Sequence, residues 1–101
     1  MIKHVVLFKL VPFAEGNSKH ENALYLKEKL ENLESLIPEL LKMEVVINMA
    51  NVSDQNYDLM LTAQVEDLAG LDAYIHHPEH VKVGAFISKV RTDRAAIDYE
   101  V

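Results

Sequence analysis

Three of the chain's five histidines, His76, His77 and His80, fall within five positions, and Tyr74 stands just ahead of them. An unperturbed imidazole titrates at about pH 6.5, so it takes or gives a proton at cellular pH. A histidine beside an apolar pocket, with a tyrosine to hold a carbonyl oxygen, suffices to abstract a proton next to that carbonyl. The tyrosine hydroxyl stabilises the developing enolate. Such chemistry needs no cofactor. Phe8, Phe86 and Ile87 are candidate walls that would exclude water. Of the three clustered histidines, His80 is the one read as a candidate base.

Each of these residues also has a structural reading. Pro78 interrupts a helix and leaves backbone N–H groups in need of acceptors; His77 caps or braces that break and His76 faces water. His80 fits the same bracing role. Tyr74 lies on a stripe with Leu71 and Ile75 and fits a core tyrosine with a satisfied hydroxyl. His4, on a strand beside Val6, fits a buried histidine bonded to a neighbour. His76 and His80 are four apart, and His77 and His80 three apart, spacings that put two metal ligands on one continuous helix. Pro78 breaks that continuity, and Glu79 suits the first turn of a new helix, where negative charge is favourable. No side-chain metal site and no cofactor is therefore expected. Gly16, Gly70 and Gly84 are too scattered for a phosphate loop. None of Ser18, Ser35, Ser53 and Ser88 sits in a nucleophile elbow. Gly84 either brings its helix close to the sheet or leaves space for a ligand, with packing the favoured reason.

The elements that must position these residues follow from periodicity. Ile2 to Leu10 carries apolar residues on both faces, which predicts a central strand covered on both sides. Val11 to Asn17, with Pro12 and Gly16, predicts a loop. Ser18 to Leu36 predicts a helix opened by a capping box of Ser18 and Glu21. Its inner stripe is Leu26, Leu30, Leu33 and Ile37, and Pro38 ends it. Leu41 to Met49 and Tyr57 to Val65 alternate as two strands joined by a polar turn at 51–56. Asp67 to His76 predicts a short helix with Leu68, Leu71 and Ile75 inward. Pro78 then opens a second segment capped by His77, with Val83, Phe86, Ile87 and Val90 as its stripe. Arg94 to Val101 predicts the last strand.

The order β-α-β-β-α-β is the ferredoxin-like split pattern: an α+β fold with one antiparallel four-stranded sheet and the helices on one face. Residues 1–101 form one domain. The other sheet face is partly apolar and nothing in the chain remains to cover it. A second copy closing sheet against sheet predicts a homodimer. Tyr99 to Val101 and Met43 to Met49 are candidates for contact across the pair.

Composition narrows the partners. Ten basic against 16 acidic residues leave a net charge of −6, which argues against a nucleic-acid partner. The chain has no cysteine, so it holds no disulfide, thiolate site or cysteine nucleophile. Its apolar runs are too short to span a bilayer, and its start lacks signal-peptide architecture. A cytoplasmic protein without a membrane partner is the expectation.

Several of these segments together carry a resemblance. They are the opening Met1-Ile2-Lys3-His4-Val5-Val6-Leu7-Phe8-Lys9, Ile37-Pro38, Tyr57-Asp58-Leu59, Tyr74-Ile75-His76-His77-Pro78-Glu79-His80-Val81 and Ile97-Asp98-Tyr99. In this order the chain resembles the stress-responsive dimeric A/B barrel (Dabb) family over nearly its whole length. The resemblance implies a ferredoxin-like domain paired as a dimeric α/β barrel. It does not imply one activity. The chain is distantly similar to the plant olivetolic acid cyclases of that family, which close a poly-β-keto thioester by an intramolecular aldol reaction. That likeness implies His80 as the catalytic histidine, Tyr74 as its assistant and His4 as a pocket histidine. A further pocket histidine of those cyclases falls at Leu59 here. It also implies a metal position after the first helix, built from the main-chain carbonyls of Glu34, Ile37 and Leu40.

Two functions follow as expectations. The first is binding of a small apolar carbonyl-containing molecule between helices and sheet, with histidine-based proton transfer of the cyclase, lyase or isomerase kind. The second is a non-enzymatic dimeric module, structural or stress-related, in which the same residues only pack. A solvent-open cavity of roughly 300 Å³ or more beside His80 fits the first, and a filled interior fits the second.

Overall fold

The computed structural model describes residues 1–101. Its elements are β1 (Ile2–Leu10), β2 (Phe13–Ala14), β3 (Asn17–Ser18), α1 (Lys19–Leu36), β4 (Lys42–Ile47), β5 (Leu59–Val65), α2 (Leu68–His76), α3 (Pro78–Val90) and β6 (Arg91–Glu100). Strands β4, β5, β1 and β6 lie side by side in one four-stranded sheet. Every pairing in it is antiparallel, and β1 is an inner strand. This is the ferredoxin-like α+β fold.

Local sequence explains the helix starts. Ser18 accepts from the Glu21 N–H and the Glu21 carboxylate accepts from the Ser18 N–H, which completes the capping box. Asp67 caps α2 by accepting from Gly70 N at 2.8 Å. His77 caps α3 by accepting from Glu79 N at 3.1 Å, with Pro78 in the first turn. The inner stripe of α1 is buried as its spacing predicts: Leu26, Leu30, Leu33 and Ile37 face Val6, Val45, Leu59 and Val65 across one core.

The observed elements depart from the sequence expectation in several places. The segment after β1 is not simply a loop. Phe13–Ala14 and Asn17–Ser18 pair in a small hairpin whose two turn residues, Glu15 and Gly16, both have positive φ. A two-residue hairpin turn of that handedness matches the twist of its strands. Strands β4 and β5 are shorter than expected: Leu41 and Met49 lie exposed outside β4, and β5 begins at Leu59 rather than Tyr57. Leu68 and Ile75 of α2 are exposed rather than inward, and Tyr74 joins Leu71 as its buried residues. Finally, β6 begins at Arg91 directly after α3, three residues earlier than expected. The polar Thr92-Asp93 pair masks the strand there, and the strand accommodates it by a bulge opposite Lys9 and Leu10.

The sheet has one covered and one open face. Alternation along β1 buries Ile2, His4, Val6, Phe8 and Leu10 beneath the helices. On the opposite face stand Val46, Ile97 and Tyr99, at 45%, 61% and 44% exposure. These values identify an apolar face left without cover inside the protomer. The β4 edge is closed differently. The Glu34 carboxylate accepts from Met43 N, the Glu31 carboxylate accepts from Val45 N, and the Lys27 ammonium donates to Val45 O. Helix side chains thus occupy backbone groups on this edge that a further strand would need.

Candidate functional site

A cavity of about 240 Å³ opens between the sheet and α2–α3, and His4, Tyr74 and His80 all line it. Three elements bring them together. β1 places His4 on its helix-facing side, α2 places Tyr74 in its last turn, and the Pro78 break turns α3 so that His80 comes back over Tyr74. The Tyr74 and His80 rings meet edge to face with centroids 4.6 Å apart. The His4 ring lies 6.2 Å from Tyr74 on the sheet side.

The apolar walls include Val6, Phe8 and Leu61 from the sheet and Ile87 from α3. Phe86 is not among them: it turns to α1 and packs on Tyr25, ring centroids 4.8 Å apart. Gly84 also differs from its expected packing role. A side chain added there would meet nothing within 4 Å, and the residue borders the cavity. Its lack of a side chain leaves room rather than permitting close helix–sheet approach.

Tyr74 has no accessible surface, and its hydroxyl has no hydrogen-bond partner. The satisfied core tyrosine anticipated from sequence is therefore not found. A buried hydroxyl left unpaired costs about 1–3 kcal/mol, so such groups require a reason. Burial also raises the Tyr74 pKa, which keeps the phenol protonated as a donor.

Burial lowers the His80 pKa; the Ile75 carbonyl pulls it partly back, and His4, Arg94 and His76 push it further down. His80 is accordingly an imidazole with a free basic nitrogen at neutral pH. His4 is buried, and its Nδ1 lies 2.5 Å from the Asp98 carboxylate. Asp98 stands directly across the β1–β6 ladder from His4. That partner was not found from sequence, because only the strand register reveals it. The pair fixes the imidazole's orientation and leaves Nε2 as its other nitrogen.

The remaining histidines of the cluster go elsewhere. His77 is committed to its cap, and exposed His76 pairs with Asp72 at 3.2 Å. Glu34, Ile37 and Leu40 lie at the end of α1 and in the turn after it. There the Glu34 carboxylate accepts from Met43 N at 2.7 Å and the Ile37 carbonyl accepts from Leu40 N at 3.1 Å. These groups act as a helix-to-strand cap.

Residues 2–101 match the model of the stress responsive A/B barrel domain. Among solved structures, a dimeric protein of unknown function with a ferredoxin-like fold from Bacteroides fragilis is 31% identical. It superposes with a TM-score of 0.83 over 99% of this chain and 95% of its own. A dimeric ferredoxin-like protein of unknown function from Thermobifida fusca is 25% identical, with a TM-score of 0.81 over 99% of this chain and 90% of its own. A Dabb family protein from Mesorhizobium loti, 24% identical, shares the fold with a TM-score of 0.71 over 99% and 95%. No curated protein matches the chain. No helix is long and apolar enough to cross a membrane.

Proposed function

The chain belongs to the stress-responsive A/B barrel domain family, and from that premise we propose that it binds a small apolar carbonyl compound in the cavity over Tyr74 and moves a proton on it through His80. The observation that carries this reading is the Tyr74 hydroxyl, fully buried, protonated and unpaired, on a ring that borders a cavity beside a basic imidazole. A ligand carbonyl supplies the missing acceptor.

The chemistry follows from those two groups. The basic nitrogen of His80 takes a proton from the carbon next to the carbonyl. The C–H bond breaks, an N–H bond forms, and the electron pair moves onto the carbonyl oxygen. The Tyr74 O–H, which has no partner in the chain, donates to that oxygen and holds the enolate as its charge develops. His4, fixed by Asp98, forms a second polar wall on the sheet side. Val6, Phe8 and Ile87 exclude water and strengthen each of these interactions.

In this reading two protomers close over their open apolar faces, as the dimeric relatives from Bacteroides fragilis and Thermobifida fusca support. One observation favours a second reading, a non-enzymatic dimeric module: the cavity's 240 Å³ falls short of the roughly 300 Å³ at which ligand pockets begin. The two separate in a thermal-shift screen of ketones, lactones and polyketide-like compounds. A compound bound only by the folded state raises the melting temperature with its concentration. Such a rise, weakened in Tyr74→Phe at the same ligand concentration, supports the binding reading. A screen without any rise supports the module.

A further inference from the structure

Two residues that line the cavity neither give nor take a proton in that chemistry: Arg91 and Arg94. In a regular strand, residues three apart point to opposite faces. Here they share one. Phe8 pairs with Arg94 and Leu10 with Arg91, and the register shifts between Lys9 and Leu10. Phe8 and Leu10 are both buried on the helix side, so the bulge brings both arginines to that side. Re-aiming a side chain beside a site is a recurrent use of β-bulges.

The two guanidinium groups lack intramolecular partners. The chain's lysine ion pairs go to Lys19, Lys27, Lys82 and Lys89, and no carboxylate pairs with Arg91 or Arg94. Neither side chain donates a hydrogen bond within the chain, although acidic residues outnumber basic ones by 16 to 10. The nearest acid on their face of β6, Asp98, is taken by His4. Arg91 also stands at the C-cap of α3, where a cation complements the carbonyl end of the helix. Arg94, three residues on and exposed, gains nothing from that helix.

Resting on the proposed carbonyl-binding role of the cavity, we propose that Arg91 and Arg94 hold a carboxylate of the same ligand, so that the cavity takes an apolar keto acid. The guanidinium fork matches a carboxylate by paired charge-assisted hydrogen bonds. The ligand's ketone lies at the buried end on Tyr74 and its carboxylate lies toward the exposed Arg94. The acyl chain occupies the apolar stretch between them.

Calorimetric titration with 4-oxooctanoate and its methyl ester tests this, because the pair differs in charge and shares the ketone. The wild-type protein should bind the acid at least about tenfold more tightly than the ester, the usual worth of hydrogen bonds to a charged group. Arg91→Gln/Arg94→Gln should bring the acid down to the ester's affinity, and Arg91→Lys/Arg94→Lys should retain part of the preference. Circular dichroism checks that each variant folds. Should the double glutamine variant not fold, Arg94→Gln alone, at an exposed position, should still lose most of the preference. Equal binding of acid and ester, or a preference that survives the glutamine variants, overturns the assignment to the arginines while the carbonyl-binding reading stands. Failure of both compounds to bind overturns the two together.

Discussion

Tyr74 and His80 meet edge to face across the Pro78 break, with ring centroids 4.6 Å apart and planes inclined at 61°. The break produces this relationship. On an uninterrupted helix residues six apart face different directions, because six steps of 100° leave them well off one stripe. Ending α2 at His76 and restarting at Pro78 brings His80 back over the tyrosine. Burial at the contact makes one ring a protonated donor and the other a free base.

His80 makes stability depend on pH. Burial, first among the causes, holds its folded pKa below the ordinary 6.5. The unfolded chain therefore takes up a proton at a pH where the folded chain does not. The resulting contribution is complete above the unfolded value and is lost as pH falls through it toward the folded one. Melting temperatures from about pH 8 to about pH 5 should fall less steeply for His80→Gln than for the parent. Equal slopes would show that His80 titrates alike in both states.

Turnover depends on the same base. Once a substrate is found, His80→Ala should lower its turnover by about two to four orders of magnitude, the usual range of general acid–base catalysis. It should leave the dimer intact. A variant with a lowered melting temperature and unchanged ligand affinity would return His80 to a bracing role.

Gly84 should show a trade between stability and ligand capacity. It sits inside α3 with open space where a side chain would point. Gly84→Ala should stabilise the helix by about 1 kcal/mol while narrowing the cavity and weakening ligand binding. Denaturant unfolding and ligand titration on the same sample read both effects. A loss of stability would mean that the space is not available.

Assembly should follow the open face. Light scattering should give twice the chain's 11.5 kDa, and Ile97→Lys, at an exposed position among the open-face apolar residues, should yield a monomer. A wild-type chain that stays folded and monomeric at micromolar concentration would remove the need for a covered face.

The sequence made the main elements legible because their signals are local. The Ser18 and Glu21 capping box, the four-residue stripe from Leu26 to Ile37 and the strand alternation of β1 and β5 all lie within short windows. It also placed His4, Tyr74 and His80 around one cavity, where the structure finds them. What it missed depends on register or on packing between distant segments. Asp98 reaches His4 only through the β1–β6 ladder, and Arg91 joins Arg94 only through a bulge. Phe86 fits the inner stripe of its helix yet packs on Tyr25 of α1, because stripe position does not say which neighbour a ring meets. Tyr74 kept its predicted burial, but whether a hydroxyl finds a partner is decided by all the surrounding elements at once.

The most direct measurement compares the free and ligand-bound stability of Tyr74→Phe with those of the parent protein. The substitution keeps the ring and removes only the buried, unpaired oxygen. The free variant should be as stable as the parent or more so, since no hydrogen bond is lost and a desolvated group is gone. Its affinity for a carbonyl ligand found in the screen should fall by about tenfold. A lower stability of the free variant together with unchanged ligand affinity would contradict the account, because the hydroxyl would then serve the fold and not a ligand.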